Sequence, residues 1–570
     1  MLENIEHPAQ IRNFTLAQLE ELAQDLRGAI VRSVLKNGGH LSANLGVVEL
    51  TIAMHCVYDF AYDRLIWDVG HQCYAHKILT GRKDRFEQLR RKEGISGFPK
   101  REESVYDAFN TGHASTSVSL ACGMARANSD PQRQIVAVLG DGAMTGGLVY
   151  EGLNDILNVS NKLTIILNDN DLAISENVGY VRKHLQKLRD GGRSSKFAEF
   201  GLDYIGPVDG HDLGALKTAL TAARNNKKSV LVHVITQKGK GYAPAEENPT
   251  KYHGYSPNAA DEWSFSEQVG ETLARIADAD ADVYAVTAAM EEGTGLERFA
   301  LAHPDKIIDV GIAEGHATTM CAGMACMGKH PYFAVYSTFL QRAFDNLLHD
   351  VCLNDLPVTV CVDRAGAVGG DGETHQGIYD LTFARGIPNL AIACPADYAQ
   401  LDAMLRFSHD YPHPMLIRYP KGKCKNPRAL SHDQVLPGRW EIAFGDESDP
   451  IVLLACGATM VAQCCLAAEI LAQKGVRACV INACFVAPLD GTMLDRIGNR
   501  KLIAAEDHVL CGGFGSAVVE YYAQHKISAR VRMLGITQPL LSQCDQADIL
   551  RANGLDADGI VDVVLSDCAQ

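Results

Sequence analysis

Short runs of apolar and β-branched residues recur along the chain and alternate with longer stretches of helix-like spacing. In the N-terminal part, such runs lie at Leu65–Val69, Ile135–Leu139, Leu163–Leu167 and Val230–Ile235. Continuous apolar runs of this length are typical of parallel strands that are buried on both faces. The pattern therefore predicts an α/β fold in which strands of a parallel sheet alternate with helices.

The same alternation continues in two further regions. Beyond residue 263, strands are predicted at Val283–Val286, Ile307–Val310, Val358–Val362 and Leu390–Ala393. A smaller third set is predicted at Ile451–Leu454, Cys479–Ile481, Leu502–Ala504 and Val531–Leu534. Stretches rich in Pro, Gly, Asn and charged residues, 243–261 and 421–438, are predicted to be linkers. We therefore expect three α/β domains, at residues 1–260, 261–430 and 431–570.

Composition narrows the class of protein. A chain of 570 residues is too long for a single core. Its net charge of −16 has no long basic block, which argues against a nucleic-acid partner. No apolar run reaches the ~18–20 residues of a membrane span, and the start of the chain does not resemble a signal peptide. The 17 scattered cysteines contain no C-x-x-C pair and indicate reduced thiols, so we expect a cytoplasmic protein without a membrane partner.

A carboxylate and an amide follow two of the predicted strands. Asp141 lies between two glycines after the strand that ends at Leu139, and Asn170 follows the next strand. Open α/β sheets bind ligands at the carboxyl ends of their strands. Oxygen donors there suit Mg²⁺, and a helix that starts nearby supplies N–H groups for a diphosphate.

An isolated Gly-Asp-Gly is usually an ordinary turn, but this pairing is specific. It resembles the thiamine diphosphate-binding motif. That resemblance implies that Asp141, Asn170 and the backbone oxygen of Leu172 hold the metal ion.

Histidines next to glycines add candidate chemistry in the same region. His40, His71 and His113 each lie beside or close to a glycine, and His71 follows the predicted strand at Leu65–Val69. A single histidine at a strand end is more often a hydrogen-bonded turn residue than a catalyst. Three of them near the metal motif favour function, because imidazole supplies protons or binds phosphate near neutral pH.

The second predicted domain carries further candidates. Glu314 opens a predicted helix, where an acidic residue often does no more than complement the helix dipole. Residues 363–377 are predicted to form a loop rich in glycine and polar residues. This composition favours a functional site over an ordinary solvent-exposed loop. Arg418 ends a predicted strand and suits a phosphate clamp, although an isolated arginine is more often part of an ion pair.

Taken together, these residues closely resemble the 1-deoxy-D-xylulose-5-phosphate synthase family, within the transketolase-like thiamine diphosphate enzymes. The resemblance spans nearly the whole chain. It is carried by the motifs at 38–40, 68–72, 112–113, 140–170, 206–211, 336–342, 363–366, 371–377 and 417–420. The run from Tyr336 to Arg342 and the segment Asp363–Gly366 distinguish this family from general transketolases.

The resemblance implies two cofactors, thiamine diphosphate and Mg²⁺. Thiamine diphosphate would be contacted by His71, Gly112, His113, Ala114, Gly142, Ala143, Asn170, Tyr242 and Glu314. Glu314 would meet the aminopyrimidine and act as a catalytic residue. The three domains would be a diphosphate- and Mg²⁺-binding domain, a pyrimidine-binding domain and a transketolase C-terminal-like domain. The resemblance also implies a homodimer.

The implied reaction condenses pyruvate with D-glyceraldehyde 3-phosphate to give 1-deoxy-D-xylulose 5-phosphate and CO₂. This is the first step of the non-mevalonate isoprenoid precursor pathway, and it also serves thiamine biosynthesis. His40 and His375 are the candidates for moving protons at the substrate oxygens. The pocket would be shaped by Tyr336, Arg342, Arg364, Asp371, His375 and Arg418.

Two other functions remain open. The chain is alternatively a transketolase that moves two-carbon units between sugar phosphates, or a cofactor-binding protein without turnover. Assays of CO₂ release from pyruvate and of ketol transfer from xylulose 5-phosphate separate the two enzymes. Bound cofactor without product would indicate the binding protein.

Three departures from the family pattern stand out. The region between Tyr180 and Gly201, near residues 181–200, looks shortened around Gly191-Gly192, and residues 182–196 are expected to form an exposed, mobile loop. Gly315 stands where a larger polar residue is common beside the glutamate. Residues 538–544 diverge in a region that we expect to be non-catalytic.

Overall fold

A computed structural model describes residues 1–171, 178–192, 196–257, 263–425, 435–538 and 541–568. The chain forms two compact units. The first unit comprises residues 1–260 together with 311–313, and the second comprises residues 261–310 and 314–570.

A five-stranded parallel sheet forms the centre of the first unit. Its strands are β1 (Arg64–Trp67), β2 (Ile135–Gly140), β3 (Thr164–Asp169), β4 (Asp203–Asp209) and β5 (Val230–Ile235). They lie in the order β1-β2-β3-β5-β4, and every neighbouring pair is parallel. The predicted strands of this region are thereby confirmed, and β4, which the pattern did not indicate, forms one edge.

Helices cover this sheet. They are α1 (Leu16–Asn37), α2 (Ser42–Leu45), α3 (Val48–Val57), α4 (Tyr74–Lys77), α5 (Ser117–Ala127), α6 (Gly147–Asp155), α7 (Gly179–Arg189), α8 (Leu213–Asn225) and α9 (Ala243–Glu247). Helix α1 begins at Leu16, because Thr15 and Gln18 form a capping box in which each side chain accepts the other's backbone N–H.

The second unit contains two sheets. The seven-stranded sheet consists of β6 (Val283–Thr287), β7 (Ile307–Asp309), β8 (His330–Tyr336), β9 (Thr359–Asp363), β10 (Ala391–Ala393), β11 (Met415–Arg418) and β15 (Phe485–Ala487). The five-stranded sheet consists of β12 (Glu441–Phe444), β13 (Ile451–Cys456), β14 (Ala478–Asn482), β16 (Lys501–Val509) and β17 (Arg530–Ile536). Their orders are β15-β10-β11-β9-β8-β6-β7 and β12-β14-β13-β16-β17.

The helices of the second unit flank these sheets. They are α10 (Phe265–Ala279), α11 (Glu297–Ala302), α12 (Glu314–Cys326), α13 (Ser337–Leu340), α14 (Phe344–Asn346), α15 (Asp380–Ala384), α16 (Tyr398–Asp410), α17 (Gly457–Gln473), α18 (Gly491–Ile497), α19 (Phe514–Gln524), α20 (Gln546–Ala552) and α21 (Ala557–Cys568). The architecture is α/β throughout, as predicted.

The three sheets correspond to the three predicted α/β domains, but the second and third share one hydrophobic core. Buried residues from Phe265 to Tyr522 belong to the same cluster. Strand β15 pairs antiparallel with β10 and so completes the seven-stranded sheet from the C-terminal side of the chain. These shared contacts explain why residues 261–430 and 431–570 form one unit; the domain boundaries themselves stay predictions.

Two segments differ from their predictions. The expected linker at 243–261 is packed against the first unit as far as residue 257, because α9 forms and Tyr252 O accepts the N–H groups of Leu41 and Ser42. The expected exposed loop at 182–196 begins as helix α7, which buries Leu185 and Leu188 in the core of the first unit. Among the described residues, no helix is long and apolar enough to cross a membrane.

Candidate active site

Asp141 lies at the tip of β2, and the chain after β3 returns to it. The Asp141 side chain is 2% exposed. Its two carboxylate oxygens accept the N–H groups of Gly142, over 2.8 Å, and of Asn170, over 3.0 Å. The register that pairs Gly140 with Asn168 brings these two strand ends together. Asp141 and Asn170 are therefore neighbours, as a shared metal ion requires; their role as metal ligands stays a prediction.

The charge environment of Asp141 suits a cation. Burial raises the pKa of the Asp141 carboxyl above its ordinary value, the carboxylate of Asp169 raises it further, and Lys238 lowers it. A divalent ion would supply the positive charge that the ionised carboxylate needs in this buried position. Leu172, the third predicted ligand, lies outside the described residues.

Carboxylate side chains alone do not form a complete metal site around Asp141. Among the residues that the structure describes, no group of three or more His, Cys, Asp or Glu side chains is arranged to hold a metal ion. A metal at Asp141 would therefore depend on amide, backbone, water or phosphate oxygens, which is the donor set that Mg²⁺ prefers. The helical segment after Asp141 has two parts: Gly142–Thr145 is a 3₁₀ turn, and α6 begins at Gly147.

Asp68 holds the loop that contains Gly112, His113 and Ala114. Its carboxylate, just beyond β1, accepts the N–H groups of Ser115 over 2.7 Å and Ser117 over 3.0 Å. The Ser115 hydroxyl in turn donates to Ala143 O over 2.8 Å. The predicted cofactor residues at 112–114 and at 142–143 are thus fixed to each other through Ser115.

A histidine cluster forms beside the end of β1. The ring centroids of His40, His71 and His253 lie 5.4–5.6 Å apart, and the ring of Phe98 lies 5.7 Å from that of His40. Burial lowers the pKa of His253 well below its ordinary value, and the nearby Lys238, His71 and His40 lower it further. His253 is therefore neutral near pH 7.

Asn44 fixes two members of this histidine cluster. Its side-chain amide donates to His40 O over 2.6 Å and to His71 O over 2.7 Å, and its oxygen accepts the N–H of Tyr74 over 2.8 Å. Asn44 is fully buried. Sequence reasoning missed both Asn44 and His253; the asparagine inside the turn that follows His40 was the available signal for the first.

A buried ion pair supports the segment that leads to Tyr242. Arg27 pairs with Glu49 through two contacts of 2.6 Å and donates to Lys240 O over 2.9 Å. His211 bridges Glu49, at 3.2 Å, and the N–H of Gln237, at 3.0 Å. This network ties α1 and α3 to residues 237–240, immediately before the predicted cofactor contact Tyr242.

In the second unit, Glu314 opens α12 and lies 3.7 Å from the guanidinium of Arg342. Glu314 is 4% exposed. Burial raises the pKa of the Glu314 carboxyl, and Arg342 opposes that shift. Arg342, predicted to contact substrate, is therefore also the counter-charge of the predicted catalytic acid. The position of Glu314 relative to the first unit stays a prediction.

The remaining substrate candidates lie together in the second unit. The Arg364 guanidinium stacks on the Tyr336 ring at 3.6 Å. Burial lowers the pKa of Arg364 to about 10, and Asp371 opposes that shift. His375 Nδ1 is 2.8 Å from Thr374 Oγ1, and the His375 ring meets the edge of Phe339.

The 366–377 loop, which carries Asp371 and His375, is held closed at its base. Gly366 and Gly377 form an antiparallel bridge. Inside the loop, the Gln376 oxygen accepts the N–H groups of Val368 and Gly369. Gln546 of α20 donates to Ala367 O over 2.9 Å. Residues 538–544, in a region expected to be non-catalytic, therefore precede a helix that contacts the predicted substrate loop.

Arg418 has a different environment from the one predicted. It is 3% exposed, and its Nε and Nη2 contact Asp380 at 2.7 and 3.3 Å. Asp507 lies 3.8 Å from Nη1. The ion-pair alternative is thus present, because Asp380 engages Nε and Nη2 of the guanidinium. The phosphate role of Arg418 stays a prediction.

Comparison with known families places these features in context. A sequence profile described as 1-deoxy-D-xylulose-5-phosphate synthase matches residues 2–197 and 191–236. The transketolase pyrimidine-binding domain matches residues 261–426, and the transketolase C-terminal domain matches residues 439–560. The first profile is split at residues 191–197, within the region that the sequence indicated as shortened.

Two curated relatives illustrate the similarity. The 1-deoxy-D-xylulose-5-phosphate synthase of Desulforudis audaxviator is 44% identical over 616 aligned positions, which cover 98% of this chain and 96% of that protein. The enzyme of the same name from Clostridium botulinum is 41% identical over 615 positions, covering 99% of each. Because these alignments are longer than the 570 residues of this chain, the relatives contain segments that it lacks.

Solved structures also include similar chains. A transketolase from Campylobacter jejuni superposes with a TM-score of 0.47 and 18% identity, covering 97% of this chain and all of that one.

Proposed function

The chain belongs to the 1-deoxy-D-xylulose-5-phosphate synthase family, and from this premise we propose that it condenses pyruvate with D-glyceraldehyde 3-phosphate to give 1-deoxy-D-xylulose 5-phosphate and CO₂. The observation that carries the proposal is the buried Asp141 carboxylate, held against Asn170 at two strand ends. That arrangement supports a metal-anchored diphosphate cofactor in a family whose members carry out this condensation.

Asp141 and Asn170, with the backbone of Leu172, would hold Mg²⁺ against the diphosphate of thiamine diphosphate. The loops at 112–114 and 142–143, joined through Ser115, would contact the same cofactor. When bound, thiamine diphosphate supplies a thiazolium carbon that adds to a keto carbon and takes up the electrons released with CO₂.

Glu314 would hold a proton at the aminopyrimidine. Its burial supports this role, because a carboxyl whose pKa is raised keeps or returns a proton near neutral pH more readily than an exposed one. Arg342, 3.7 Å from the carboxylate, opposes that rise of the Glu314 pKa.

Arg364 and Asp371 would position the aldehyde substrate, with Arg364 gripping its phosphate. The contact between the Arg364 guanidinium and the face of the Tyr336 ring restrains the arginine side chain. His375, whose Nδ1 lies 2.8 Å from Thr374 Oγ1, would move a proton at a substrate oxygen. His40 would do the same from the first unit.

The family match favours decarboxylation of a keto acid over transfer of a ketol group. We also propose a cytoplasmic homodimer that uses Mg²⁺. The experiment that tests the function is mass spectrometry of the product formed from pyruvate and glyceraldehyde 3-phosphate, with and without thiamine diphosphate. A 1-deoxypentulose phosphate, formed only with thiamine diphosphate and with release of CO₂, is expected. Ketol transfer from xylulose 5-phosphate without release of CO₂ would instead identify a transketolase.

A further inference from the structure

Arg189, the last residue of α7, contacts both residues that flank Asn170. Its Nη1 lies 2.5 Å from Asp169 Oδ1, and its Nη2 lies 2.9 Å from Asp171 Oδ1. The Arg189 side chain is 13% exposed. One guanidinium therefore bridges two carboxylates on either side of a residue that is predicted to bind the metal.

The inner of these carboxylates is fixed from several directions. Asp169 is fully buried, its Oδ1 also accepts the N–H of Asp171, and its Oδ2 accepts from His233 Nε2 over 2.8 Å. His233 in turn contacts the Tyr204 hydroxyl at 2.8 Å. Arg189 thus binds a carboxylate that is held in place at the end of β3. Because its guanidinium donates through two nitrogens, it restrains the geometry of this turn as well as stabilising it.

The outer carboxylate belongs to a residue with an unfavourable backbone conformation. Asp171 has φ = +63°, in the left-handed region that non-glycine residues rarely adopt. Such a residue keeps this conformation only where its surroundings hold it. Arg189 supplies a close contact to it, and Arg182 lies 3.4 Å from the same carboxylate.

Helix α7 is itself secured to the first unit. Leu185 and Leu188 are buried in the core, and the His184 ring stacks on Tyr180. Lys196, within the segment 191–197 where the family profile is split, donates its N–H to His184 Nε2. The helix is therefore a firm support for Arg189.

We propose that Arg189 is a positioning residue for Asn170: by bridging Asp169 and Asp171 it holds the turn that presents Asn170 to the metal ion. The inference rests on the proposed function, because it assumes a metal at Asp141 and Asn170. Residues that orient metal ligands typically change metal affinity by 10–100-fold when they are replaced.

The test is metal binding rather than turnover. The full-length protein, stripped of metal and supplied with thiamine diphosphate, is titrated with Mn²⁺, and free Mn²⁺ is followed by electron paramagnetic resonance. Arg189→Ala should raise the dissociation constant of Mn²⁺ by about 10–100-fold, and Arg189→Lys should have a smaller effect. Lys183→Ala removes an exposed charge from the same helix and should bind Mn²⁺ as the parent does.

Thermal melting without metal separates positioning from simple stabilisation. A lower melting temperature of Arg189→Ala with parental Mn²⁺ affinity would overturn the inference and leave the proposed function intact. Absence of Mn²⁺ binding by the parent would overturn both. Should Arg189→Ala not fold, Arg189→Lys decides: weaker binding by a folded variant supports the inference, and parental binding overturns it.

Discussion

The carboxylate of Glu314 lies 3.7 Å from the guanidinium of Arg342, and the acid is almost completely buried. Burial raises the pKa of Glu314 and Arg342 counteracts it. Replacing the arginine removes the opposing charge, so the carboxyl should lose its proton only at higher pH.

The first prediction follows from this pair. One limb of the pH–rate profile should reflect the titration of Glu314. Arg342→Ala should move this limb to higher pH, and Arg342→Lys should move it less. The profile of kcat/KM for pyruvate measures this effect. Glu314→Ala should abolish turnover and leave the fold intact by circular dichroism. Full activity of Glu314→Ala, or an unmoved profile in Arg342→Ala, would contradict the assigned roles.

The second prediction concerns Arg364. Arg364→Met should weaken binding of the aldehyde by roughly 1.5–3 kcal/mol, the range for a hydrogen bond to a charged group. The effect should appear as a raised KM for glyceraldehyde 3-phosphate with an unchanged KM for pyruvate. Arg406→Ala, which removes an exposed arginine elsewhere in the second unit, serves as the control. An unchanged KM for the aldehyde in Arg364→Met would count against a phosphate contact.

The third prediction concerns Asn44, whose amide joins the backbones of His40 and His71. Asn44→Ala leaves buried carbonyls without that donor, at a cost of about 1–3 kcal/mol for each unsatisfied group. We expect a lower melting temperature together with weaker binding of thiamine diphosphate. Asn161→Ala is a matched control, because Asn161 also donates to two carbonyls, those of Ala125 and Asn128. It should lower stability and leave cofactor affinity unchanged.

The fourth prediction concerns acid stability. Burial alone raises the pKa of Glu49, but hydrogen bonds from His211 and Arg27 outweigh it and lower the pKa to about 2. The ordinary value is 4.5. Because the folded pKa is depressed, the ionised acid stabilises the fold by roughly 3 kcal/mol at neutral pH. That contribution is complete above pH ~4.5 and is lost as the pH falls towards 2.

Urea unfolding at pH 7 and at pH 3 measures this contribution. Glu49→Gln should lower the unfolding free energy at pH 7 and should reduce its fall between the two pH values by an amount on the order of 2 kcal/mol. Glu151→Gln, an exposed acid on α6, should keep the parental pH dependence. The same pH dependence in Glu49→Gln and the parent would show that this ion pair does not govern acid stability.

Most central strands were predictable because they are buried on both faces, although β8 (His330–Tyr336), which is equally buried, was missed. Ile135–Leu139 is continuously apolar, and it is found as β2. Strand β4 was missed because it is an edge strand, partly exposed and interrupted by Gly206-Pro207. Helix α7 was missed because only three of its residues are buried among many polar ones.

Only those site residues that belong to local sequence motifs could be predicted from the sequence. Asp141 and Asn170 stand at the ends of adjacent strands, so their proximity follows from parallel pairing. His253 joins His40 through a contact between residues that are distant in the chain, from a stretch whose composition is typical of a linker. The Asp380 partner of Arg418 is equally non-local. Such contacts depend on the tertiary fold and produce no periodic pattern in the sequence from which they could be predicted.

Strand β15 has a consequence for any attempt to dissect the second unit. It comes from the C-terminal third of the chain, yet it pairs with β10 and so forms the edge strand of the seven-stranded sheet. A fragment that stopped near residue 430 would expose the backbone N–H and C=O groups of β10. Exposed edge strands of this kind pair with strands of other chains. The pyrimidine-binding region is therefore unsuited to separate expression, and truncation is expected to yield aggregates instead of a soluble module.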